Sequence, residues 1–160
     1  MDAQKLHLIL NHYPAILMVA ATVLLAFGMF RASDGVVKFG LYFAVAAGLI
    51  ALPAFVTGEM SGAKAIYSGP HAEALAAHKH TARTSFFLIE AAGIASLIAV
   101  FKLRMGRKRG KVFAGSVLAV SLIACVMIVY TTHLGRQVKW AAAEKADLIE
   151  NTKENKQWHA

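Results

Sequence analysis

Four apolar runs dominate this chain, and its charge is packed between them. They extend from about Leu6 to Phe30, Val36 to Thr57, Thr81 to Phe101 and Val112 to Leu134. At about 1.5 Å of helical rise per residue, each is long enough to cross a hydrocarbon core of roughly 30 Å. Backbone amides in lipid must be satisfied within the segment, so each run is predicted to be a helix. The fold class is therefore all-α: a four-helix transmembrane bundle, up-down-up-down. Composition agrees. The chain is 58% apolar with a mean hydropathy of +0.53, against about 45–50% apolar in a typical soluble domain. Small residues recur at Ala44, Ala46, Ala47 and Gly48 in the second run and at Ala91, Ala92, Gly93 and Ala95 in the third. They allow helix backbones to approach closely in lipid.

The connections differ in kind. Arg31 to Gly35 is short, and the stretch after the third run is short and basic. The second connection, Gly58 to about His80, is longer, with a turn expected at Ser68-Gly69-Pro70. The Ala-rich stretch from His71 to His80 predicts a third helix that starts near Pro70 and extends beyond the membrane. Residues 1–140 form the predicted transmembrane domain. Residues 141–160, rich in Lys, Glu and Asn, read as a polar helical tail that frays toward Ala160.

The net charge of +8 suggests a nucleic-acid partner only until the charges are located. Six of the seventeen basic residues lie between Lys102 and Lys111, beside apolar runs. There they set topology and meet anionic lipid head groups, so the bilayer is the expected partner and nucleic acid is not. Arg31 and Lys38 fall at the same end of the bundle. That end is read as cytoplasmic, with both termini periplasmic, in a multi-pass protein of a bacterial inner membrane. No cleavable signal peptide is evident. The lone cysteine, Cys125, allows no internal disulfide and no C-x-x-C-H haem attachment. It reads as a small buried apolar residue.

The histidines carry the chemistry. Tracing the crossings places His7, His12, His71, His78, His80 and His133 at one end of the bundle, with none at the other. Ionisable groups at membrane depth are costly, and neutral imidazole is the commonest metal ligand. Two histidines from different helices can hold a haem iron from both sides. The first and third helices are diagonal in such a bundle, so His12 and His80 form the natural pair. His133 and His7 then supply a second pair or a supporting ring. His78 shares a helical face with His71. Equally, imidazoles at this depth can form an interfacial belt with no ligand, the simpler reading for His71 and His159. Met60 is a weak axial candidate at the same end.

Two acids stand out. Glu90 lies deep in the third run, on a stripe with Phe87, Arg83 and His80 at offsets of three, seven and ten. It either pairs with Arg83 or stays protonated and relays a proton. Glu59, just past the second run, is read as a solvated helix end, with a proton relay as the alternative. Tyr13, Tyr67, Tyr130 and Trp140 sit where an interfacial aromatic belt would.

The opening His7-x4-His12-Tyr13-Pro14 resembles the start of a bacterial membrane family catalogued as domain of unknown function 2231, which begins H-P-x-x-[VI]-H-[FY]-P. Leu8 stands where that family usually has proline. Pro53 to Gly58 (PAFVTG) is similar to the end of its second helix. His80 matches a histidine opening its third. His133-Leu134-Gly135, followed by Val138, resembles its closing pattern, with Arg136 replacing a glycine. The likeness spans most of residues 7 to 140. It implies a four-helix fold, histidine ligands at His12, His80 and His133, and a setting among electron-transfer modules.

The expected function is a membrane-anchored b-type cytochrome or haem-bearing subunit, an electron-transfer component more than a stand-alone enzyme. It would carry electrons between quinol and a periplasmic cytochrome or a larger complex through haem b held by bis-histidine ligation. The alternatives are a copper or zinc site, favoured by the close spacing of His71, His78 and His80, and a structural subunit of a larger complex.

Overall fold

The computed structural model describes the backbone of residues 3–63, 70–105 and 110–158, and the side chains of residues 5–60, 72–105 and 112–137. Its helices are α1 (Ala3–Leu10), α2 (His12–Phe30), α3 (Asp34–Ala63), α4 (Pro70–Arg104) and α5 (Gly110–Trp158), with no strand among the described residues. Tyr67, the turn residues Ser68 and Gly69, the centre of the basic loop and His159 lie outside the described residues, as do the side chains of His71 and Trp140.

Four stretches are long and apolar enough to cross a membrane: Lys5–Phe30, Asp34–Met60, Ala72–Arg104 and Val112–Gln137. This makes the chain a multi-pass membrane protein by the length and apolarity of its helices. Each span packs on its neighbours in chain order, and α5 closes the bundle against α2. The first and third spans therefore face each other across the bundle. The third helix begins at Pro70, as its sequence predicts. The tail is helical as far as Trp158 and continues α5 without a break.

The first span is not one straight rod. Pro14 has no N–H to give the Leu10 carbonyl, and its ring crowds that carbonyl, so the helix breaks one turn earlier, at Asn11. Both α1 and α2 pack on α3. A second proline, Pro53, sits inside α3. It leaves the Leu49 carbonyl without its usual helical donor.

The interior is built from small side chains, and the large ones face outward. Ala44, Ala47, Ala51, Ala92, Ala99, Ala114 and Ala124 are buried, around Met18, Leu25, Leu41 and Val117. Ile16, Val23, Phe27, Leu49, Ile94, Leu97, Val126 and Val129 are exposed on the bundle surface, where lipid tails replace water. Hydroxyls in the spans turn back onto their own helices: Thr22 donates to the Met18 carbonyl at 2.8 Å and Ser96 to that of Ala92 at 2.7 Å. The sequence thereby hides its polar atoms where no water can satisfy them.

The α2–α3 hairpin is the tightest connection. Ser33 N–H donates to the Gly28 carbonyl at 2.8 Å and Ala32 N–H to that of Met29 at 3.2 Å. This paired pattern closes a helix C-terminus through a residue in the left-handed region, here Ala32 at φ 51°. Beyond the turn, a methyl built at Gly40 would come within 2.8 Å of Leu25 Cγ. The absence of a side chain at Gly40 is what allows the two helices to close.

Two stability predictions follow from this hairpin, both read by unfolding of the detergent-solubilised protein. Ala32→Gly relieves the left-handed strain and raises stability by roughly 0.5–1 kcal/mol, net of the greater freedom of glycine in the unfolded chain. Gly40→Leu forces the hairpin apart and lowers stability by roughly 1–3 kcal/mol. Equal stability of Ala32→Gly and the parent would show that the turn carries no strain.

Candidate histidine site

The first span packs on α3 along both α1 and α2. From α1, His7 reaches α3, and its Nδ1 donates to the Ala54 carbonyl at 2.9 Å. On the diagonal helix α4, His78 turns toward α5, and its Nδ1 donates to the Thr131 carbonyl at 3.1 Å. A carbonyl oxygen only accepts, so in both rings Nδ1 must carry the proton. In the neutral tautomer Nε2 then keeps its lone pair. A ligating histidine is oriented by this kind of bond from its other nitrogen. The two imidazoles lie within electrostatic reach of each other.

Each ring rests on a glycine. A methyl built at Gly58 on α3 would sit 2.8 Å from His7 Cε1 and 3.0 Å from its Nδ1. One built at Gly135 on α5 would sit 3.2 Å from His78 Cε1. Hydroxyls fix the backbone beneath. Thr57 Oγ1 donates to the Pro53 carbonyl at 2.8 Å and to that of Ala54 at 3.1 Å. The buried Ser85 bonds Thr131 through their hydroxyls at 2.9 Å, and Thr131 also donates to the Met127 carbonyl at 2.8 Å. All four spans thus contribute to one polar layer at the histidine end: His7, the α3 segment Pro53 to Gly58, His78 with Ser85, and Thr131 with Gly135.

The histidines named first from the sequence lie on the surface, and His7 and His78 are part-buried. His12, His80 and His133 are all exposed. His80 lies two residues from His78, about 200° around the helix at 100° per residue, so one faces inward and the other outward. His12 lies beyond the Asn11 break, on the outer side of α2. His133 receives a hydrogen bond at 3.3 Å from Gln137 Nε2 on its own helix. The three are not brought together. No group of three or more His, Cys, Asp or Glu placed to hold a metal occurs among the described residues. Met60 is exposed.

The acids are also reassigned. Arg83 pairs with Glu59 at 3.2 Å. Of the two readings of Glu90, the pair with Arg83 is not formed, and Glu59, read as a solvated helix end, takes that partner while staying exposed. Packing of α3 against α4 brings the two partners level, while Glu90 lies two turns farther along α4.

Gly58 and Gly135 were visible in the sequence as the last residue of PAFVTG and the third of His133-Leu134-Gly135. Spacing alone did not show that each clears room for a ring. Ser85 and Thr131 left no signal, because a hydroxyl in an apolar helix usually bonds only its own backbone.

Diethylpyrocarbonate modification of the intact protein, followed by peptide mass spectrometry, should reach His12, His80 and His133 before His7 and His78. Gly58→Ala should speed modification of His7 selectively, because the new methyl displaces that ring from the Ala54 carbonyl. Uniform modification of all five histidines would mean that the rings are not held.

No protein-family model matches the chain, and neither a curated protein nor a solved structure does.

Proposed function

We propose that the protein is a membrane-anchored b-type cytochrome, or the haem-bearing subunit of a larger complex, with His7 and His78 as axial ligands instead of His12 and His80. It carries electrons between a membrane quinol and a carrier or partner complex at the histidine end. The observation behind this reading is that two imidazoles on diagonal helices are each fixed through Nδ1 by a backbone carbonyl, leaving Nε2 for a ligand.

The donor set fits haem better than a bare ion. Haem brings four nitrogens of its own, so two imidazoles complete the coordination. Zinc sites take three or four protein ligands, and the described residues offer no such group. When bound, the haem supplies a one-electron couple. The chain's own work is to hold and orient. The Ala54 and Thr131 carbonyls set the rotation of each ring. Held by His7 and His78, a haem would serve electron transfer. The glycines at positions 58 and 135 leave no side chain to compete for space beside the rings.

The basic stretch around Lys102–Lys111 supports a bacterial inner membrane with that end cytoplasmic and the histidine end periplasmic. The motifs at His7 to Pro14, Pro53 to Gly58 and His133 to Gly135 support a place in the four-helix family they resemble.

Optical spectra of the detergent-purified protein, oxidised and then dithionite-reduced, test this reading, with pyridine haemochrome and metal analysis on the same sample. The expected result is stoichiometric haem b with sharp reduced bands. His7→Ala and His78→Ala should lose it, with partial return on adding imidazole, while His12→Ala, His80→Ala and His133→Ala retain it. A colourless, iron-free protein made with ample haem would overturn the proposal. Retained copper or zinc would then favour a metal site, and no bound metal a structural subunit.

A further inference from the structure

Glu90 is the one acidic side chain deep within a span, and the structure leaves it without a cation. Its Oε1 is buried and has no hydrogen-bond partner among the described residues. It lies in the α3–α4 seam, where a methyl built at Gly48 would sit 3.6 Å from Oε2 and 3.7 Å from Gly93 Cα. The closest arginine along its stripe, Arg83, is about 10 Å away along the helix axis and is occupied by Glu59. Lys102, toward the other end of α4, lies over the Phe113 ring.

The neighbouring elements supply no counter-charge. Between Leu41 and Val56, α3 carries only Tyr42 as a titratable group, and Arg104 donates to its hydroxyl at 3.1 Å at the far end. Between Val112 and Thr132, α5 carries Cys125 and Tyr130. Cys125 Sγ lies 3.4 Å from Thr22 Oγ1 on α2. From Pro14 to Phe30, α2 has no titratable group. An ionised carboxylate would face apolar side chains and helix backbone whose N–H groups are already committed.

The seam is also closed above. Phe86, one turn nearer the histidine end on the same face of α4, stacks on Phe55 of α3 with ring centroids 4.3 Å apart. Phe55 is seven residues, two turns, beyond Gly48 on α3. The stacked rings thus lie between Glu90 and the Arg83–Glu59 pair.

We propose that Glu90 is a proton-binding site within the membrane: a neutral carboxylic acid held in the Gly48–Gly93 seam, with the Phe55–Phe86 stack limiting its exchange with the histidine end. Burying the charge without a partner is strongly unfavourable, whereas keeping the proton leaves only a weakly satisfied dipole. This inference does not depend on the haem reading, and its test needs no cofactor.

Infrared spectroscopy of the reconstituted protein at neutral pH reads the carbonyl stretch of a protonated carboxyl, which shifts in D2O. That band should be present in the parent and in Glu59→Gln, and absent from Glu90→Gln. Phe86→Ala should accelerate its deuterium shift. In parallel, dicyclohexylcarbodiimide, which attacks protonated carboxyls in apolar surroundings, should label the wild-type peptide that carries Glu90. The labelling needs no variant, so it decides the matter if Glu90→Gln fails to fold. A parent protein without the band, a band that survives Glu90→Gln in folded protein, or label confined to other carboxyls would overturn the proposal.

Discussion

A peptide N–H or C=O in hydrocarbon has no water to bond, so the chain must satisfy it internally. That requirement makes the four apolar runs helical and turns their hydroxyls back onto their own carbonyls. It also gives special weight to the two prolines within the spans. Pro14 and Pro53 each remove one N–H from the helical ladder, and both lie toward the histidine end. Near Pro53 the Thr57 hydroxyl donates to the Pro53 and Ala54 carbonyls, and the His7 ring also donates to that of Ala54. The candidate site therefore lies at the end of the bundle that holds both prolines, with side chains bonded to helix carbonyls.

Packing follows a second rule of the bilayer. Lipid tails are as apolar as leucine, so burying large side chains gains little over leaving them in lipid. Close contact between helices gains more, and small residues permit it. Alanines make up much of the interior, around a few buried Leu, Val and Met side chains, while many Phe, Ile, Leu and Val side chains face outward. Glycines act where helices or rings approach closely: Gly28 and Gly40 in the α2–α3 hairpin, and Gly58 and Gly135 beneath His7 and His78. The same device thus serves structure at some positions and makes room for chemistry at others.

The polar groups of the bundle sort by depth. At the histidine end, Arg83 and Glu59 form an exposed pair with little desolvation to repay. Farther out on α4, His78 precedes Arg83, and it and His7 each donate to a backbone carbonyl. Deeper than both, Glu90 has a buried Oε1 with no hydrogen-bond partner among the described residues.

The sequence by itself determined the all-α class, the presence of four spans, the start of the third helix at Pro70 and the gathering of histidines at one end. Each follows from a one-dimensional signal: run length, proline chemistry or the parity of crossings. The third span begins at Ala72, ahead of the apolar run read from Thr81. Which histidines face inward was not legible. His78 and His80 differ by two residues, and only the packing of α4 against α5 selects between opposite faces of one helix. His7, not His12, meets a neighbouring helix, and only the packing of the first span on α3 makes that visible. The exchange of Glu90 for Glu59 as partner of Arg83 has the same origin. Offsets along one helix place Arg83 and Glu90 on a common stripe, but a competing carboxylate on the neighbouring helix lies closer. Sequence periodicity describes a single helix, whereas pairing across a seam depends on the relative height and rotation of two, and only the tertiary structure supplies those.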